Sequence, residues 1–176
     1  MRPNDQTAWF DFARQLSLDG YAALTFDFRG YGESGGDTDY AKLGDDLSAV
    51  IRYARGLGKQ PIFLVGASMG ATTSLVVAES ADVDAIVAVS PPAQFDSQDA
   101  LQAVPTLNRP KLFIASEEDA PTLDFDDLYE AAAEPKEEQL YAGNAHGTDL
   151  FDASKNAEAA AVGPRILRFL QEQGGP

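Results

Sequence analysis

The chain has 176 residues, 44% of them hydrophobic, enough for one domain with a packed core. It carries no cysteine and one histidine, which excludes disulfides, thiolate metal sites, a cysteine nucleophile and, within one chain, a multi-histidine metal centre. Its 28 acids against 13 bases give a formal charge of -15, which disfavours nucleic acid and anionic membrane surfaces as partners.

Residues 1–6 hold no apolar signal core, and no run of about 18 apolar residues occurs, so a cytoplasmic enzyme or binding domain is expected. Residues 8–18 read as a helix with Trp9, Phe12, Ala13 and Leu16 on one face, closed by Gly20. Residues 21–28 read as a strand and 29–36 as a loop. A second helix is predicted over residues 40–55, with Leu43, Leu47, Val50, Ile51 and Ala54 inward, stopped by Gly56 and Gly58.

An apolar run over residues 62–65 then enters Gly66-Ala67-Ser68-Met69-Gly70, and a helix-compatible stretch follows over 69–78. Residues 85–89 form a continuous apolar run, as in a strand covered on both faces, ended by Ser90-Pro91-Pro92. Residues 94–109 read as an irregular or weakly helical connection, 111–115 as a strand and 116–122 as an acidic loop. A helix over 123–133 stops before Pro135, a short last strand covers 139–141, and a closing helix covers 164–171 with Pro164 at its start. Strands alternate with helices, which predicts a single α/β unit over residues 1–176, a mostly parallel sheet flanked by helices on both sides.

The strand–turn–helix around Ser68 carries the chemistry. A serine at a sharp turn, with glycines at Gly66 and Gly70 to relieve crowding, presents its hydroxyl openly. The amide of Met69 is then free to donate to a developing oxyanion. The plain alternative is a small-residue turn between two core elements. A serine hydroxyl needs a base, and His146 is the only imidazole. The base in turn needs a carboxylate, and Asp119 follows a predicted strand, with Glu117, Glu118 and Asp124 as neighbouring alternatives. A solvated histidine and a solvated acidic loop are the plain readings of these two segments.

Two decoys stand beside this site. Gly30 to Gly35 matches the spacing G-x-G-x-x-G, but the next helix starts too late for a dinucleotide fold, and Gly66 to Ser74 lacks the lysine that a phosphate loop needs. Residues 124–127 lack the spacing of a calcium loop. No cofactor and no metal are called for.

In the order Asp27-Phe-Arg-Gly-Tyr-Gly-Glu-Ser34, Gly66-Ala-Ser-Met-Gly70, Pro110-Lys-Leu-Phe-Ile-Ala-Ser-Glu-Glu-Asp119 and Asn144-Ala-His-Gly147, the chain resembles the α/β-hydrolases over nearly all its length. The resemblance implies a serine hydrolase, esterase- or dienelactone-hydrolase-like, with Ser68 as nucleophile, Asp119 as acid and His146 as base. It implies cleavage of small carboxylic esters or thioesters through an acyl-enzyme. Tyr31 and Glu33 become candidates for contacts near the site. The twenty or so residues before the strand at Lys111 are too few for the helical lid of many members. A shallow, open site is therefore expected, walled in part by residues 91–95 and Leu101.

The resemblance begins late. Family members carry two or three strands before the first helix, and here Met1 to Asp5 already stands at the turn that supplies a second oxyanion amide. Either the natural start lies upstream or this is a shortened form. Pro3 has no amide hydrogen, which leaves Arg2 as the second oxyanion donor beside Met69. An interior strand missing between residues 21–28 and 62–65 would leave backbone unpaired, so self-association through strand edges and weakened activity are expected. The alternative to an enzyme is a non-catalytic or weakly active hydrolase-like binding module.

Overall fold

The computed structural model describes residues 5–122 and 124–176. A 3-10 turn, Gln6–Trp9, leads into helix α1 (Phe10–Leu18), and another, Tyr40–Lys42, leads into α2 (Leu43–Gly56). Strand β1 (Phe63–Ala67), helix α3 (Met69–Ala78) and strand β2 (Ala85–Val89) follow. Next come a small hairpin, β3 (Gln94–Phe95) with β4 (Gln98–Asp99), and the single turn α4 (Ala100–Ala103). Strand β5 (Lys111–Ser116), helix α5 (Phe125–Ala131), strand β6 (Lys136–Tyr141) and helix α6 (Ala159–Glu172) complete the order.

The four longer strands pair in the order β1-β2-β5-β6, all parallel. Side chains alternate between faces, so each apolar strand must be covered twice. Along β2, Ile86 and Ala88 join a core with Leu47, Ile51, Leu75 and Leu128, brought by α2, α3 and α5. Ala85, Val87 and Val89 join the opposite core with Phe12 of α1 and Val162, Ile166, Phe169 and Leu170 of α6. The register aligns Ala67 with Val89, Val89 with Ile114 and Ser116 with Tyr141, so the chain leaves every strand at one carboxyl edge.

Residues 21–28 differ from the expected strand: among the described residues they join no ladder. Phe26 and Phe28 pack against the first core and the Tyr21 ring lies 6.3 Å from that of Phe63 in β1, whereas Leu24 is 51% exposed. Alternating side chains anchor the segment, but a ladder also needs a neighbour at about 4.8 Å. β1 pairs only with β2 among the described residues, which leaves it one free edge.

Three other elements differ from expectation. β6 starts at Lys136 rather than Gln139, because an edge strand tolerates Lys136, Glu137 and Glu138, which hide its alternation. The hairpin β3–β4 is too short to leave a pattern. Pro164 does not start α6 but lies inside it. The turn about buried Asn156, whose Oδ1 accepts from the Glu158 amide at 2.9 Å, opens the helix five residues earlier. The proline forfeits the bond to the carbonyl of Ala160, an exposed residue in the first turn of the helix.

β5 opens on Lys111, which is wholly buried, with its Nζ donating to the carbonyls of Ala133 at 2.6 Å and Pro135 at 3.3 Å. Burial, aided by Lys136 and opposed by Glu134, lowers this amine to about 8 from 10.5. The folded chain therefore sheds the proton before the unfolded chain does, and the cost of burying the charge is relieved as pH rises from about 8 towards 10.5. Against Lys111→Met, the wild type should gain about 2 kcal/mol of relative stability between pH 8 and 10, measured by urea unfolding.

Candidate active site

β1 delivers the chain to Ser68, which joins it to α3 with φ 50° and ψ -120°. This left-handed backbone is unusual for a residue with a side chain, and two restraints hold it. The Ser68 amide donates to the Val89 carbonyl at 2.9 Å, and the Ser68 carbonyl accepts from Ala71 and Thr72. Thr72 Oγ1 also donates to the Pro92 carbonyl at 2.7 Å, fastening the stretch after β2 to the same helix.

Of the two elbow glycines, only Gly66 is crowded. A Cβ on Gly66 would lie 2.4 Å from the Gly70 carbonyl oxygen, whereas one on Gly70 meets only Phe28 at 4.0 Å. The relief of crowding expected of both glycines thus falls on Gly66. The Met69 amide, first in α3, has no acceptor within its own helix. Arg2, the other expected oxyanion donor, lies outside the described residues.

At the ends of β5 and β6 the ladder continues into the loops. The amides of Glu117 and Glu118 donate to the carbonyls of Tyr141 and Gly143, each at 2.9 Å. This side-by-side run carries Asp119 towards His146. His146 Nδ1 lies 2.9 Å from Asp119 Oδ1 and 3.1 Å from Oδ2, and its Nε2 lies 2.8 Å from Ser68 Oγ. The three side chains, 27 and 78 positions apart, meet at the carboxyl edge of the sheet. The Asp119 side chain is fully buried and that of His146 is 30% exposed, so the pair is dry on one side and open on the other. Glu117 and Glu118 are exposed, and neither they nor Asp124 bonds to the imidazole.

The loop after residue 28 folds about Asp27. Its carboxylate accepts from the Gln6 and Glu33 amides at 2.7 and 3.1 Å and from Gln6 Nε2 at 2.9 Å. Burial works to raise this carboxyl, but the donors outweigh it and hold it below its ordinary value. Tyr31 and Glu33 make no hydrogen bond to Ser68, His146 or Asp119. The Tyr31 hydroxyl lies 3.3 Å from that of Tyr40, whose ring meets Phe95 edge-on at 5.2 Å. A cavity of about 560 Å³ between this loop and α2 includes Arg29 and Asp46, already an ion pair, and shares no residue with the Ser68 group.

Between β2 and β5 the regular elements are only the hairpin and α4, with Leu101 38% exposed. Among the described residues no cluster of acids and histidine fit for a metal occurs, and no helix is long and apolar enough to cross a membrane. Sequence reasoning does not reach Ser90 and Ser116, which both bond to the segment carrying His146. The signal is a serine closing an apolar strand, at residues 85–90 and 111–116.

A family model described as "Alpha/beta hydrolase family" matches residues 3–171. No curated protein sequence matches the chain. Among solved structures, the monoacylglycerol lipase of Paleococcus ferrophilus superposes with a TM-score of 0.80 at 16% identity, covering 97% of this chain and 91% of that one. An esterase of Pyrococcus furiosus gives 0.79 at 20% identity, with 96% and 75% covered. An alpha-beta serine hydrolase homologue from Coxiella burnetii gives 0.69 at 25% identity, with 78% and 67% covered.

Proposed function

This chain belongs to the alpha/beta hydrolase family, and from that premise we propose that it is a serine hydrolase of small carboxylic esters or thioesters. The observation that carries the reading is the unbroken contact from Ser68 Oγ through the His146 ring to Asp119. A carboxylate can only accept, so Nδ1 of His146 carries the proton and Nε2 is left to receive one from Ser68. Ser68 Oγ attacks the substrate carbonyl as its proton passes to Nε2, and the buried Asp119 stabilises the imidazolium. The Met69 amide donates to the oxyanion, with Arg2 as the second donor. His146 returns the proton to the departing alcohol or thiol. It then activates water, which releases the acid and restores Ser68.

The surroundings support this substrate class. With only a two-strand hairpin and one helical turn between β2 and β5, that connection holds no helical lid, which suits a small ester or the exposed end of a larger one. A second reading, a hydrolase-like binding module, draws on residues 21–28, which join no ladder among the described residues although Tyr21 lies beside Phe63 of β1. A fluorophosphonate probe tests the first reading. Wild type should be labelled stoichiometrically and Ser68→Ala not at all; equal labelling of both, or of neither, ends the proposal.

A further inference from the structure

We infer that Ser90 and Ser116 are positioning residues that aim the His146 ring between Ser68 and Asp119, an assignment that rests on the hydrolase reading. Ser116 Oγ donates to the carbonyl of Ala145 at 2.8 Å, on one side of His146. On the other side, the amide of Gly147 donates to Ser90 Oγ at 2.9 Å. Both bonds are buried, and the serines are 4% and 0% exposed respectively. The Ala145 carbonyl and the Gly147 amide belong to the two peptide planes that meet at the His146 α-carbon. Fixing both planes fixes the backbone angles between them, and with those the direction in which the imidazole leaves the chain.

The two serines do opposite jobs at matched places. Ser116 ends β5 and donates; Ser90 follows β2 and accepts. Ser116 also receives the Asp119 amide on its own carbonyl at 3.2 Å, so a single residue ties the acid's turn to the histidine's loop. Ser90 takes φ 48° to reach its position, and its amide donates to the Ile114 carbonyl at 2.6 Å. A side chain held in left-handed backbone, fully buried, and bonded to the residue after His146 is strain stored for a purpose at that loop. Gly147 in turn packs close to Ala67 and Ser68, where a Cβ would come 3.7 and 3.8 Å from theirs. A loop set loose there would slide along the nucleophile itself.

The test uses the full chain and the variants Ser90→Ala, Ser90→Gly, Ser116→Ala and Ser116→Thr, with a short-chain aryl ester. Because the chain holds one histidine, the ring gives one assignable set of NMR signals. Both alanine variants should lose about 10- to 100-fold in kcat with KM within about twofold, the pH limb of kcat/KM should move, and the His146 Nδ1 proton signal should shift. Ser116→Thr keeps the hydroxyl and should return kcat to within about threefold of wild type. Ser90→Gly relaxes the backbone yet lacks the hydroxyl, so it should behave like Ser90→Ala, and it carries the test if the alanine variant fails to fold. Wild-type kcat with an unmoved histidine signal in both alanine variants overturns the assignment, as does recovery of kcat in Ser90→Gly. A chain that turns over no ester, but whose histidine signal still moves in the variants, defeats the hydrolase reading and leaves the positioning intact.

Discussion

Ser68→Ala should lower turnover of a short-chain aryl ester by about 10^5- to 10^6-fold, and adding His146→Ala should cost almost nothing more. In the proposed mechanism the two residues act as one unit: without Oγ, the imidazole 2.8 Å away has no proton to accept. His146→Ala alone should be nearly as damaging, because no second imidazole exists to stand in. Asp119→Asn should lose about 10^4-fold, since an amide nitrogen facing Nδ1 favours the wrong tautomer. Steady-state kinetics on the single and double variants, with folding checked by circular dichroism, measure this directly. Additive losses would mean that the two side chains contribute separately and that their contact does not perform the proton transfer.

Gly66→Ala should be strongly destabilising, at about 3 kcal/mol or more. The added methyl would sit 2.4 Å from the Gly70 oxygen, 2.6 Å from its carbon and 2.8 Å from the Ala71 nitrogen, all of them backbone in the first turn of α3. None can swing aside as a side chain would. Either β1 or α3 must move, and Ser68 lies between them. Turnover should therefore fall by about 100-fold even in whatever fraction remains folded. Gly70→Ala is the control, since it meets only Phe28 at 4.0 Å and gains helix propensity worth up to about 1 kcal/mol. Thermal melts of the two variants check the contrast. Equal losses would show that the G-x-S-x-G pattern, rather than the contact at Gly66, governs the cost.

The elements legible from residues alone are those whose cause is local or whose burial is complete. α3 and β2 appear with the predicted bounds; in β2 the run is uninterruptedly apolar and must be covered on both faces, and α3 starts at the glycine-flanked turn. α6 extends earlier than its apolar spacing shows, since Ala159–Ala161 add helix without adding an apolar stripe. The carboxyl-edge meeting of Ser68, His146 and Asp119 was foreshadowed by each following a strand. The resemblance already named Asp119 as the acid, while the residues by themselves left Glu117 and Glu118 open; the continued β5–β6 pairing leaves those two exposed and Asp119 buried.

What residue order determined without help was the parallel sheet between two helical layers and the serine at its sharp turn. Both follow from periods of two and of about 3.6 residues and from glycine placement, which act over a few positions. Only the tertiary structure decided that residues 21–28 join no ladder among the described residues, that Gly66 rather than Gly70 has no room for a side chain, and that Ser90 and Ser116 grip the backbone on both sides of His146. Each of those depends on which distant segment comes to lie alongside, and contact between residues tens of positions apart leaves no periodic mark in the chain.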